Sequence, residues 1–327
     1  MRHLQRFALA LAVTLLVAQA RGGTQAPAGV RFDEFAPTTF SVVTHDTRAM
    51  AAAWADVLGI AVPPINQPDV TYPPSFEGDR TGKPTMASLQ AVNMTVSLHQ
   101  PPPGTYWRQI LDTHGERLYR MNFRVHGLAD QTAYFERAGG KLVIGDPAKV
   151  PYVNVNLWPK YGVALELNGV AADAPEPAPR PAPPAGSFAN NPVVKIAFVV
   201  PNLTEAVRDY RALFGLSAPV TGATKSIVFP QSAKADRATT INWAKLTFPN
   251  GVLLELNEPH GGASVWRTHL QAHGRSIFSV GLRVKSVREA AAYLASKGGV
   301  LVFGGPGARY AGFDFTSKLG TIIEIQE

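Results

Sequence analysis

Residues 40–60, FSVVTHDTRAMAAAWADVLGI, and residues 196–216, IAFVVPNLTEAVRDYRALFGL, are one phrase written twice in the same chain. They align without a gap, Trp54 facing Tyr210 and Gly59 facing Gly215. Each copy reads as a short apolar strand, a polar turn and an amphipathic helix stopped by glycine. In the first copy Trp54 and Leu58 stand four apart and share one helix face. The repetition continues outward. WRQILDTHGERLYRMNFRV from Trp107 answers WRTHLQAHGRSIFSVGLRV from Trp266, ERAGGKLV answers ASKGGVLV, and GVALELN from Gly162 answers GTIIEIQ from Gly320. Self-similarity over this span divides the chain into two homologous modules, residues 31–170 and 191–327. Residues 171–190, AADAPEPAPRPAPPAGSFAN, are a Pro/Ala tract whose prolines lack the amide donor a helix interior or strand needs, and read as a linker.

Within each module the expected order is strand, helix, several strands, then strand, helix and more strands. That is an α+β arrangement, and the 29 Gly and 27 Pro favour short strands and turns over long helices. Strand parity sharpens it: Met94, Val96 and Leu98 point one way while Asn93, Thr95, Ser97 and His99 point the other, so one sheet face is polar.

Composition excludes several functions. Cysteine is absent, which removes zinc ribbons, iron–sulfur sites, thiol nucleophiles and lipid-anchored cysteine. A GxSxG elbow, a GxxxxGK[ST] phosphate loop and a GxGxxG after a strand are all missing, so hydrolase, NTPase and dinucleotide readings lack support. Residues 1–20, MRHLQRFALALAVTLLVAQA, carry Arg2 and Arg6, an apolar run and the small-x-small triplet Ala18-Gln19-Ala20. They read as a cleaved signal peptide, giving a periplasmic or secreted protein with no membrane association once the leader is removed. The whole chain carries a formal +7; losing the two leader arginines leaves 29 basic against 24 acidic residues, about +5. The charge is dispersed, with no Lys/Arg run interleaved with aromatics, so no nucleic-acid partner is expected.

The paired strand–helix–three-strand units, the WRxxLxxHG phrase before a central strand, the helix followed by Gly-Gly and the closing Gly-x-x-x-Glu resemble the vicinal oxygen chelate superfamily of glyoxalases, bleomycin-resistance proteins and dioxygenases. The resemblance covers nearly the whole mature chain. It implies two tandem modules, each of paired βαβββ units forming a curled sheet around a cleft. It also implies that metal enzymes of this kind set ligands on the first, fourth, fifth and eighth strands. Carried over position by position, these places are Thr39, Ser97, Arg120 and Glu166 in module 1 and Lys195, Glu255, Ser279 and Glu324 in module 2. Arg and Lys have no lone pair for a divalent cation, so no metal and no cofactor are expected.

In module 1, Arg120 and Arg124 share a face, as do Asn154, Asn156 and Trp158. If those faces line the cleft, with Glu166 beside Arg120, they make a basin for a carboxylate, phosphate or sugar. The competing reading is a hydrated outer face. Arg124, a second cation on the Arg120 face, makes module 1 the expected principal site. In module 2, Lys195 with Glu255 and Glu324 reads either as an oxyanion-binding or proton-accepting lysine or as an ion cluster filling a lost metal's place. The function expected is an exported binder of a small polar or anionic molecule. The alternative is a lyase, isomerase or dioxygenase using Glu166 or Glu324, with catalytic residues otherwise unassigned.

Overall fold

The computed structural model describes residues 37, 39–76, 78, 80–171, 180–225, 227–231, 235–236, 238–305 and 307–327. The leader and residues 172–179 of the Pro/Ala tract lie outside them.

Module 1 contains β1 (Thr39–Val43), α1 (Thr47–Leu58), β2 (Thr85–Gln90), β3 (Thr95–Gln100), α2 (Tyr106–His114), β4 (Arg117–His126), α3 (Leu128–Arg137), β5 (Lys141–Ile144), β6 (Tyr152–Asn156), the single turn α4 (Trp158–Tyr161) and β7 (Ala164–Val170). Module 2 repeats the series as β8 (Val193–Val199), α5 (Leu203–Phe214), β9 (Val220–Thr224), β10 (Thr240–Thr247), β11 (Leu253–His260), α6 (Val265–His273), β12 (Ser276–Arg283), α7 (Val287–Ser296), β13 (Val300–Gly304), β14 (Tyr310–Phe315), α8 (Thr316–Leu319) and β15 (Thr321–Gln326).

The repeated phrase sets the helix starts and stops in both copies. Asp46 Oδ1 accepts from the Arg48 and Ala49 amides, and Asn202 Oδ1 does the same for Glu205, satisfying donors that a helix start leaves open. Gly59 and Gly215 then end the helices at φ +69° and +61°, a left-handed turn that costs glycine little. Each helix packs its apolar stripe on the outer sheet face, burying Trp54 and Leu58 in one copy and Tyr210 and Phe214 in the other.

The sheet orders are β2-β3-β1-β4-β7-β6-β5 and β9-β10-β11-β8-β12-β15-β14-β13. In each, the four central strands pair parallel, antiparallel, parallel: β3/β1, β1/β4 and β4/β7, mirrored by β11/β8, β8/β12 and β12/β15. These four strands carry the two sets of matched positions. Among the described residues module 1 has one strand fewer; where module 2 has β9, a proline-rich segment bridges from Asn66 to Met86.

The polar strand faces point inward. Ser97, His99, Arg120, Asn122, Asn154 and Asn156 are all 7% exposed or less, which rules out the hydrated outer face. An extra residue in each central strand changes the parity locally. Ser41 pairs with Arg120 but Val42 with Leu118, making Tyr119 the bulged residue, and Phe278 is its counterpart opposite Phe198 and Ala197.

The modules share a seam instead of hanging on a tether. The Leu118 amide donates to the Gly320 carbonyl at 3.2 Å, Tyr210 Oη donates to the Tyr161 carbonyl, and Tyr293 Oη donates to the Val57 carbonyl at 3.0 Å. Phe123 stacks on Phe214 with centroids 5.6 Å apart. Among the described residues no helix is long and apolar enough to cross a membrane.

Candidate functional site

Each curled sheet encloses a cavity above its four-strand floor. In module 2 the floor is a buried ion cluster. Lys195 Nζ, from β8, donates to Glu255 Oε1 of β11 at 3.0 Å and to Glu324 Oε2 of β15 at 2.6 Å. Ser279 of β12 donates to Glu324 Oε1. Asn257 Nδ2 adds a bond to Glu255 Oε1 at 3.2 Å, and Lys245 Nζ stands 3.5 Å from Glu255 Oε2. All four matched positions of this module therefore converge.

Burial disfavours the Lys195 ammonium, but Glu255 and Glu324 outweigh it and hold its pKa above the ordinary lysine value. For Glu255, burial pushes upward and Lys195 with Lys245 pull it back below the usual carboxylate value. The lysine stem has room because the residue opposite it is glycine. A Cβ on Gly281 would lie 2.9 Å from Lys195 Cε and 3.0 Å from its Cβ. The cavity above has a volume of about 360 Å³ and is walled by Trp243, Trp266, Phe303 and Tyr310, with Lys245 Nζ 4.7 Å from the Trp243 ring centroid.

The module 1 floor is built from the other end. Arg120, the counterpart of Ser279, fans its guanidinium across four strands. Nε donates to Ser41 Oγ at 3.2 Å, Nη1 to Asn154 Oδ1 and to Glu166 Oε2 at 2.9 Å, and Nη2 to His99 Nε2 at 3.0 Å. Because an arginine only donates, His99 Nε2 must accept, which puts the ring proton on Nδ1, 2.6 Å from Tyr119 Oη. Burial, with Arg120 adding to it, holds His99 well below the ordinary histidine pKa and keeps it neutral. Glu166 is saturated: Oε1 accepts from Asn122 at 2.7 Å and Asn168 at 3.4 Å, and Oε2 from Arg120 and from Asn154 at 3.4 Å. The cavity above, about 280 Å³, is bounded mainly by apolar groups such as Val70, Met86, Trp107 and Ile144.

Of the module 1 residues expected to form a basin, Arg120, Asn154 and Glu166 come together at the floor. Arg124 is half-buried further along β4, opposite Asn168 of β7, and does not line this cavity. Asn156 turns its Oδ1 back to the Trp158 amide at 2.8 Å, and Trp158 lies at the seam beneath Arg117 and 5.5 Å from the His114 ring. Thr39, at the first matched place, is half-buried at the start of β1. His99 and Tyr119 join the floor without having been assigned to it; His99 was on the polar face of its strand, whereas Tyr119 arrives through the bulge.

A divalent metal does not fit these floors. In module 2 an ammonium is already the central cation between the two carboxylates, and in module 1 a guanidinium occupies the corresponding role, so a second cation meets repulsion and too few donors. Among the described residues no three His, Asp or Glu side chains are grouped to hold an ion.

The fold and these floors define a class: paired curled sheets whose cleft floors sit on four central strands. Residues 195–316 match the profile of the glyoxalase/bleomycin resistance protein/dioxygenase superfamily. In solved structures the chain is similar to a triple mutant of 4-hydroxymandelate synthase from Streptomyces coelicolor, at TM-score 0.52 and 14% identity over 81% of this chain and 75% of that one. It also aligns with a halotolerant catechol dioxygenase at TM-score 0.46 and 11% identity, over 91% and 87% of the two chains. No curated protein matches. The second module therefore carries the profile of this superfamily, and the chain as a whole has the fold of its tandem two-module proteins.

Proposed function

We propose that this protein is an exported, metal-independent binder of a small polar or anionic molecule, and that its principal site is the module 2 cavity. The observation that carries the reading is Lys195, whose ammonium stands between Glu255 and Glu324 where a metal enzyme of this fold would keep its ion. These bonds use two of its three N–H donors, and Lys195 itself lines the cavity. A ligand oxygen has a donor to meet there, while the aromatic wall covers its apolar part. Module 1 is the weaker candidate because Arg120 already spends its guanidinium on Ser41, Asn154, Glu166 and His99, and because Arg124 lies outside the lining.

The enzymatic alternative depends on Glu166 or Glu324 acting as a base. Glu166 accepts four hydrogen bonds and must break one before it takes a substrate proton, and Glu324 is held by Ser279 and Lys195. Export rests on the leader, which lies outside the described residues.

The test is a tryptophan-fluorescence screen of chelator-treated protein against small carboxylic acids, sugars and phenols. Binding is expected to survive chelation and to weaken about tenfold in Trp243→Ala, the loss of one aromatic wall and its cation–π contact. Binding that requires an added divalent ion, or that is unchanged in this variant, overturns the reading.

A further inference from the structure

The seam holds a cluster that neither cavity uses. Arg117, the first residue of β4, is 4% exposed, and its guanidinium lies 5.1 Å from the Trp158 ring centroid. Nη2 donates to Ser276 Oγ at 3.0 Å and meets His269 Nε2 at 3.3 Å, but Nε and Nη1 are buried without a partner. His114 at the end of α2 and His273 at the end of α6 occupy the same repeat position, and their rings meet edge to face across the seam with centroids 6.1 Å apart. The His269 ring is 4.8 Å from that of His273, whose Nδ1 is likewise buried without a partner.

Four basic groups thus converge with no acid among them in the described residues. The neighbouring carboxylates are engaged elsewhere: Glu116 accepts from Thr44 Oγ1 and the His45 amide, while Asp209 pairs with Arg275 and Arg208. Glu205 lies 3.9 Å from Arg275 and 4.0 Å from Arg208. The ends of α2 and α6 offer only partial negative charge, a small effect that favours imidazolium over imidazole. Burial brings Arg117 down to about 9, and burial together with Arg117 and His114 brings His273 to about 4. His114 and His269 are also lowered, by burial first and Arg117 second. A buried guanidinium normally has its counter-charge beside it, because an unpaired ion is expensive to hold out of water.

We propose that this seam binds a small tetrahedral oxoanion of the phosphate or sulfate type. His114 and His273, both half-exposed, form the entrance, and Arg117 supplies the neutralising charge beneath them. Because the groups come from both modules, the anion fastens one to the other.

The experiment compares inorganic phosphate and sulfate with chloride at equal ionic strength and mildly acidic pH, using the full chain. The imidazole C2 protons of His114 and His273 are followed by NMR alongside thermal melting. Phosphate is expected to raise the titration midpoints of these two histidines by about one unit, the effect of an opposite charge at close range, and to raise the melting temperature. Since such salts also stabilise proteins generally, His114→Gln/His273→Gln supplies the control; its two positions are half-exposed and Arg117 is retained. The phosphate-specific gain in melting temperature should vanish in it. Wild-type midpoints identical in phosphate and chloride, or a melting gain preserved in the double variant, overturn the proposal.

Discussion

The two modules begin from one glutamate at one repeat position, Glu166 and Glu324, and neutralise it from opposite directions. Module 1 brings Arg120 from its fifth-strand place and surrounds the carboxylate with asparagines; module 2 brings Lys195 from its first-strand place and sets a second glutamate and a serine around it. The switch depends on the position facing the lysine. Asn122 of module 1 bonds Glu166, whereas its counterpart Gly281 leaves the space that the Lys195 stem fills. A charged floor in this fold is therefore set by pairs of facing positions, not by single residues.

The largest break in that comparison is Lys195→Met. It leaves Glu255 and Glu324 buried without their common counter-charge, and unfolding free energy should drop by about 3–5 kcal/mol, the cost of removing one partner from a buried ion cluster. Divalent ions should restore part of this loss in the variant and add nothing to wild type. Denaturant unfolding with and without manganese or zinc measures both effects; an equal response of wild type would mean that Lys195 does not stand in for an ion.

Gly281→Ala should cost about 1–3 kcal/mol through overpacking against the lysine stem. Adding Lys195→Ser should recover the overpacking part, so the two substitutions should be strongly non-additive in a double-mutant cycle. Additive losses would separate the glycine from the lysine.

The smallest effect concerns pH. His99 of module 1 corresponds to Asn257 of module 2, and burial with Arg120 keeps it neutral in the folded protein. The unfolded chain protonates this histidine near 6.5 and the folded chain does not, so its penalty is absent above that pH and grows as pH falls below it. His99→Asn should flatten the acid decline in melting temperature by about 2 °C for a chain of this size. An unchanged slope would assign the decline to the seam histidines instead.

Much of this was legible in the sequence because it followed parity and repetition. Lys195, Glu255, Ser279 and Glu324 fall on the same inward face of four strands, the places that the resemblance to the superfamily implies. What escaped had local causes. Tyr119 reaches His99 only because a bulge turns two consecutive residues of β4, and strict alternation places it on the other face. Trp158 continued the pattern of Asn154 and Asn156 on paper, but the chain leaves β6 at Asn156 and enters a single helical turn, which carries the ring to the seam. Arg124 obeyed parity and still missed the cavity, since parity chooses a face and not a depth along it. The seam itself joins residues from about fifty to more than two hundred positions apart, beyond any local pattern.

The seam also changes what the covalent connection between the halves is needed for. Backbone bonds such as Leu118 to Gly320, and hydroxyls such as Tyr210 and Tyr293 on the opposite module's carbonyls, tie the halves at several independent points. A chain nicked within the Pro/Ala tract should stay assembled, and the halves produced as separate polypeptides should find each other, making this protein a natural candidate for split-fragment complementation.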